Sequence, residues 1–218
     1  GNTDVDPSVH TRSSTHDAME RELLPYRTTV ASVNASPAFP LFGTMISHAI
    51  YPVIDESNAP ATLSPVILED LLRGDGTHGA TPFDGIHFQG VTVSDAFWTW
   101  GATKNLDGMG KRRLMLQSFL AGMDMLMIAH ADFLAAWDYF QAAYASQLPA
   151  VEQTALLQAT HLESWDALHA KLALRVDESA ARIHAAKSLV GSSLQFAGTG
   201  PADAHSADLV REYRALAR

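Results

Sequence analysis

The 218-residue sequence contains no cysteine, which excludes disulfide bonds, cysteine-ligated zinc and thiol nucleophiles. Charged residues are scarce, at 18%, and 24 Asp and Glu against 15 Lys and Arg give a net charge of -9. This balance argues against a nucleic-acid partner, because nucleic-acid-binding domains usually carry a basic patch. The sequence also lacks the long apolar run that predicts a membrane-spanning helix.

Short motifs for cofactors and metals are missing as well. There is no GxxxxGK[ST] phosphate loop, no GxGxxG after a strand and no GxSxG nucleophile elbow. The ten histidines are scattered without an HExxH or HxH pattern, so we expect neither a metal nor a cofactor. The sequence has no initiator methionine and no leader, and we expect a fragment or processed product of unknown localisation.

Hydrophobic residues, at 47%, suffice for the core of one domain, and helix-like and strand-like segments alternate along it. Short apolar runs at 41–47, 90–94 and 123–128 predict three buried strands. Strands that alternate with helices are typical of an α/β fold with a parallel sheet. The glycine-rich stretch 74–87 predicts a surface insertion.

Capping residues predict where the helices begin. Asp17 is expected to cap the first helix, which Pro25 kinks or ends unless residues 26–33 continue it. Ser64 is expected to cap the second, with Pro65 at its first position. A third helix is expected over 111–121, and helices dominate from 132 to 190.

Polar residues follow each predicted strand, where parallel sheets place their chemistry. Asp95 follows the second strand and stands close to Phe97, Trp98 and Trp100. Aromatic rings beside a carboxylate suit a sugar site, because the rings stack on the pyranose and the anion meets a developing oxocarbenium ion. Alternatively, Asp95 only caps the next helix.

Histidines supply further candidates. His48 and His130 follow the first and third strands, and each either binds a substrate hydroxyl or bonds a backbone carbonyl. In the opening loop, Asp4, Asp6 and His10 place carboxylates near an imidazole, which is the arrangement of a general acid/base, although solvated loops commonly contain these residues too.

Five stretches of the sequence, in order, carry a resemblance to one enzyme family. They are GNTDVD at 1–6 with ELLPYR at 22–27, MISHAIYP at 45–52 with PATLSP at 60–65, GVTVSD at 90–95 with Gly101-Ala102, AGMDML at 121–126, and SAARI at 179–183. Together they resemble the second half of the barrel of glycoside hydrolase family 3, in the branch of bacterial β-N-acetylhexosaminidases that act on cell-wall fragments.

The resemblance implies a fold and an activity. The fold would be the second half of a (β/α)8 TIM barrel with a helix-rich C-terminal part, as a domain over 1–191 followed by a tail at 192–218. The activity would be retaining hydrolysis of terminal β-N-acetylglucosaminides, as in recycling of peptidoglycan, through a covalent glycosyl-enzyme intermediate. The family's K-H-F-x-G-H element is absent, so the missing barrel half or a companion chain is an expected partner beside the carbohydrate.

The resemblance also implies roles for individual residues. Asp95 aligns with the nucleophile, and Asp6 with the Asp of the D-S-H that supplies the acid/base. His10, two residues later than the family's His, is the nearest substitute for it. His48, Trp98 and Trp100 are expected to bind the sugar, with the 2-acetamido group near His48.

Two other functions remain open at this stage. One is a β-glucosidase or β-xylosidase of the same family, whose members generally take their acid from a further C-terminal domain. The other is a catalytically impaired homologue that binds carbohydrate, which the altered loop favours and the intact Asp95 disfavours.

Overall fold

The structure, a computed structural model, describes residues 2–3, 5–6, 8–10, 15–35, 43–77, 82–103 and 106–191. These residues form a helix-rich α/β fold with a small parallel sheet, as the order of segments predicts. The strands are β1 (Gly43–Ile46) and β2 (Val91–Ser94), and the helices are α1 (His16–Asn34), α2 (Gly108–Ala121), α3 (His130–Tyr144), α4 (Ala150–Thr160) and α5 (Trp165–Gly191). Ala61–Leu63 and Gly101–Thr103 are 3-10 turns, and Val66–Leu71 is a π-helical turn. The predicted tail, 192–218, lies outside the described residues.

Helix α1 begins earlier than its sequence predicts. Thr15 has an extended backbone, and its hydroxyl accepts a hydrogen bond from the amide of Ala18 at 3.2 Å, so Thr15 is the cap. The predicted cap at Asp17 is wrong, because Asp17 already lies in the first turn of the helix. There its negative charge interacts favourably with the positive end of the helix dipole. Pro25 lies inside α1 and does not end it.

Strands β1 and β2 pair in parallel, with Gly43 opposite Val91 and Met45 opposite Val93. The third predicted strand, 123–128, is wrong as a regular strand. Met125 alone pairs with Val93, through amide–carbonyl bonds of 2.9 and 3.0 Å to Thr92 and Ser94. At Met127 the amide instead donates to the hydroxyl of Ser94, at 2.9 Å, so a side chain takes the place of the next backbone acceptor.

The two faces of the sheet differ in burial. Thr92 and Ser94 point to one face and are fully buried. Met45 and Met125 flank Val93 on the other face, where they are 63% and 47% exposed. Because successive side chains alternate between faces, the residue after β2, Asp95, continues the exposed face.

The described parts of the stretch 74–87, residues 74–77 and 82–87, do not form the predicted surface insertion. Phe83 and Ile86 are buried and pack in one cluster with Met19 and Leu23 of α1. The amide of Ile86 also donates to the carbonyl of Leu71, at 2.8 Å. The two apolar side chains thus anchor the glycine-rich stretch beneath α1.

Helices α2 to α5 pack together in an apolar cluster that supports the sheet from the C-terminal side. Its buried members include Leu116, Leu120, Tyr139, Leu156, Leu168 and Leu172. Within the described part of the chain, no helix combines the length and apolar character needed to cross a bilayer.

Candidate functional site

Asp95 lies where β2 ends, and its backbone and side chain are both held in place. Its amide donates to the carbonyl of Ile46 at the end of β1, at 2.9 Å. Its carboxylate Oδ1 accepts from the amide of Ala96, at 2.7 Å. The residue is half-buried, so one carboxylate oxygen is tied to the backbone while the group stays accessible from the exposed face of the sheet.

The turn after Asp95 separates the two tryptophans. Trp98 is 49% exposed, whereas Trp100 is 1% exposed. The hydroxyl of Thr103 donates to the carbonyls of Phe97 and Trp100, both at 2.8 Å, which closes the turn. An exposed ring can stack on a sugar, so the exposure of Trp98 is compatible with the predicted sugar-binding role. Trp100 is buried, and its ring is not accessible from the surface.

His48 and Trp100 form a buried stack beneath this turn. Their ring centroids are 4.2 Å apart with 10° between the planes, and Phe97 meets the edge of His48 at 5.1 Å. His48 Nδ1 and Thr62 Oγ1 are 2.8 Å apart and hydrogen-bonded. His48 is fully buried, so the structure places it below the site rather than at its surface.

The opening loop docks on the same end of the sheet. The amide of Ile50, just beyond β1, donates to the carbonyl of Val9 at 2.8 Å, and His10 pairs with Ile50. The amide of Gly101, just beyond the turn that carries Asp95, donates to the carbonyl of Thr3 at 2.8 Å. The loop is therefore fixed at two points, one after each strand.

Asp6 and His10 lie in this loop, and both are exposed. The hydroxyl of Ser8 donates to Asp6 Oδ1 at 2.6 Å, and the amide of Ser8 donates to the same oxygen at 2.9 Å. These hydrogen bonds, with the nearby charge of His10, lower the pKa of Asp6 and keep it anionic. Asp4, the third predicted member of this group, lies outside the described residues.

A buried ionic cluster, made by Asp124 with Arg73, Arg175 and Arg182, underlies the sheet at the other end. Asp124 is fully buried and bonds the three arginines at 2.7 to 3.1 Å. Burial raises the pKa of Asp124, but the bonds from Arg182, Thr92 and the other partners outweigh burial and hold it at about 2. Burial lowers the pKa of Arg73 to about 10, which still leaves it charged at neutral pH.

The ionic cluster also holds the strand that carries Asp95. The amide of Thr92, three residues before Asp95, donates to Asp124 Oδ2 at 3.0 Å. The sequence alone does not predict this cluster, because Asp124 falls within the buried strand expected over 123–128. A lone acid between Met123 and Met125 was the available signal, because a buried carboxylate needs cationic partners.

Other candidates lie elsewhere. His130 is exposed and begins α3. A cavity of about 650 Å³ has a described lining that includes Asp55, Gln117, Thr160 and Lys171 and none of the predicted site residues. Across the described ranges, no three metal-type side chains come close enough to hold an ion.

The chain is similar to known proteins both in sequence and in fold. The family model for the glycosyl hydrolase family 3 N-terminal domain matches residues 1–160. No curated protein matches the chain.

Three solved structures illustrate the similarity of fold. A glycoside hydrolase family 3 β-N-acetylglucosaminidase from Paenibacillus sp. str. FPU-7 matches with a TM-score of 0.59 and 19% identity, over 98% of this chain and 34% of its own. LpqI of M. tuberculosis matches at 0.56 and 23% identity, over 92% and 44%. The β-N-acetylhexosaminidase of Beutenbergia cavernae DSM 12333 matches at 0.50 and 24% identity, over 86% and 43%. The chain thus spans less than half the length of these proteins.

Proposed function

Because the chain belongs to glycosyl hydrolase family 3, we propose that it supplies the catalytic carboxylate of a retaining glycosidase that releases terminal β-N-acetylglucosamine. The observation that carries the proposal is the placement of Asp95. It follows β2 on the exposed face of the sheet, where its amide is bonded to the end of β1, and it precedes the exposed Trp98 by three residues in the turn that ends where Gly101 binds the opening loop.

Asp95 is proposed as the nucleophile. One of its carboxylate oxygens attacks the anomeric carbon as the bond from that carbon to the leaving oxygen breaks, which gives a covalent glycosyl-enzyme. The amide of Ala96 binds Oδ1, which fixes the orientation of the carboxylate and leaves Oδ2 for the attack. The alternative role for Asp95 is that of a helix cap. No helix begins directly after Asp95, because the next helical residues are the 3-10 turn at Gly101–Thr103.

His10 and Asp6 are proposed to handle the proton. Protonated His10 gives its proton to the leaving oxygen, and neutral His10 then takes a proton from the water that attacks the glycosyl-enzyme. That water's oxygen bonds to the anomeric carbon, and Asp95 leaves as a carboxylate. Asp6 stays anionic because Ser8 hydrogen-bonds it, and its proposed role is to orient the imidazole of His10.

Trp98 is proposed as the stacking platform for the sugar, because a ring half open to solvent next to a carboxylate can cover a pyranose face. His48 and Trp100 are buried beneath the site, so any contact that they make with the 2-acetamido group would come from below the bound sugar. The similarity in fold to the β-N-acetylglucosaminidase of Paenibacillus and the β-N-acetylhexosaminidase of Beutenbergia supports the proposed preference for an N-acetylated sugar.

The fold is proposed to be the second half of a (β/α)8 barrel, with a domain over 1–191 and a tail at 192–218. Met45 and Met125 on the exposed face support this proposal, since the interior of a closed barrel would cover them. Further strands would come from the rest of the full-length protein or from a companion chain.

The test is substitution of Asp95 in the full-length protein, assayed on the aryl β-glycosides of N-acetylglucosamine, glucose and xylose. Asp95→Ala should abolish turnover, and azide should restore it with the α-glycosyl azide as product, because the small anion attacks in place of the carboxylate. The control is Asp177→Asn, which removes an exposed carboxylate on α5. A fluorinated sugar that forms a stable glycosyl-enzyme should label the peptide containing Asp95.

Several outcomes would contradict the proposal. Full activity of Asp95→Ala, or labelling of another residue, would remove Asp95 as the nucleophile. Faster turnover of the glucoside or xyloside would replace the proposed substrate. Binding of N-acetylglucosamine without turnover in the unsubstituted protein would indicate a carbohydrate-binding homologue.

A further inference from the structure

We propose that the stack of His48 on Trp100 is a positioning device that holds the opening loop, and with it the proton donor, over Asp95. The inference rests on the function proposed above and adds a role for two buried residues that need not touch the sugar.

The first step is the location of the two docking points. Ile50, whose amide binds the carbonyl of Val9, lies two residues beyond His48. Gly101, whose amide binds the carbonyl of Thr3, directly follows Trp100. Each docking point is thus attached to one member of the stack.

The second step is that the stack joins these two points across a gap in the sequence. His48 and Trp100 lie in different loops, yet their rings are nearly parallel with centroids 4.2 Å apart. A change in this separation would move Ile50 relative to Gly101. The loop that bridges them would then either lose a backbone hydrogen bond or change the position of His10 relative to Asp95.

The third step is how the stack itself is anchored. His48 is bonded through Nδ1 to the hydroxyl of Thr62 at 2.8 Å. The carbonyl of Thr62 accepts from the hydroxyl of Ser118 on α2, at 2.7 Å. The rings are therefore connected to the helical layer and do not depend on the loop for their own position.

The indole of Trp100 depends on ring contacts. It is 1% exposed, and among the described residues its N–H finds no hydrogen-bond acceptor. Its neighbours are the faces and edges of His48 and Phe97. Removal of the His48 ring would take away the surface against which the indole lies.

The first measurement is hydrogen exchange in the full-length protein. His48→Ala should speed exchange about tenfold in the peptides that contain Ile50 and Gly101, because the two loop bonds open more often. His48→Phe keeps a ring to stack on Trp100 but loses the hydrogen bond to Thr62, so its exchange should lie between that of His48→Ala and the unsubstituted rate. His169→Ala is the control, since it also removes a histidine ring that contacts a tryptophan, here Trp165 on α5.

The second measurement is the dependence of kcat/KM on the leaving group. General acid catalysis matters most when the leaving oxygen is a poor leaving group, so His48→Ala should lower kcat/KM about 100-fold on an alkyl N-acetyl-β-glucosaminide. On the 4-nitrophenyl glycoside the loss should stay below about fivefold, because that leaving group needs little protonation. His48→Phe should recover most of the loss. A merely structural defect would lower kcat/KM by the same factor on both substrates.

The outcomes are separable. Unchanged exchange in His48→Ala, or equal losses on both substrates, overturns the positioning role while Asp95→Ala still reports on the proposed function. Should His48→Ala fail to fold, Thr62→Val loosens the anchor without removing a ring, and the same two readouts apply. Full activity of Asp95→Ala would overturn the inference together with the function on which it rests.

Discussion

Substitution of Asp124 by Asn gives the sharpest test of the ionic cluster beneath β2. The carboxylate is fully buried and bonds three arginines, of which Arg175 is 1% exposed. Asn is close in shape but carries no charge, so buried Arg175 would keep only Glu178, whose side chain is 40% exposed, as its counterion. Removing one partner of a buried ion pair costs about 3–5 kcal/mol, and we expect a loss of that size in the free energy of unfolding at pH 7.

The pKa of Asp124 supplies a second estimate. The pKa is 3.8 in a free aspartate and about 2 in the folded protein. At about 1.4 kcal/mol per unit, this shift stabilises the folded state by about 2 kcal/mol. Because the folded pKa is the lower one, this contribution is complete above pH 3.8 and disappears as the pH falls through about 2.

Urea unfolding of the full-length protein, followed by the fluorescence of buried Trp100, measures both effects. The difference in unfolding free energy between the unsubstituted protein and Asp124→Asn should shrink by about 2 kcal/mol from pH 5 to pH 2. Glu178→Gln is the control, since Glu178 pairs with Arg175 but its side chain is 40% exposed. It should cost at most about 1 kcal/mol. A cost below about 1 kcal/mol for Asp124→Asn would refute the reasoning.

Two further predictions concern a tight turn and the proposed sugar platform. Gly122→Ala should lower the unfolding free energy by about 2 kcal/mol or more, measured by the same urea titration. Gly122 has φ of +128°, which an alanine rarely adopts, and an added Cβ would lie 2.8 Å from the Cβ of Leu68. A stable Gly122→Ala protein would contradict this packing. Trp98→Ala should raise KM for the aryl N-acetylglucosaminide about tenfold, because the ring no longer stacks on the sugar. The melting temperature should not change, because the ring is half exposed. Equal KM values for the two proteins would exclude stacking.

Local patterns in the sequence were enough to place β1, β2 and Asp95. Short apolar runs bounded by polar residues report strands because the signal lies within a few neighbours. The same holds for Ser64, whose hydroxyl accepts from the amide of Ile67 at 3.1 Å as a cap does. The family resemblance adds the proposed role of nucleophile, which spacing alone leaves open for Asp95.

Contacts between distant residues could not be predicted in this way. Trp98 and Trp100 are two residues apart and identical in type, yet one is exposed and the other buried. What decides between them is His48, which is distant in the sequence. The irregular third strand has a similar origin, because Ser94 uses its side chain to bind the amide of Met127.

The strand that carries Asp95 is held at both ends by groups of different character. Below it, the fully buried carboxylate of Asp124 binds the amide of Thr92 and three arginines, so any displacement there would separate buried charges from their partners. Above it, ring contacts and two backbone hydrogen bonds fix the turn and the loop. Ring contacts have a preferred geometry but are individually weak, so the loss of one costs less free energy than the loss of a buried ion's partner. Changes at Asp124 should therefore act on stability, and changes at His48 on the efficiency of proton transfer.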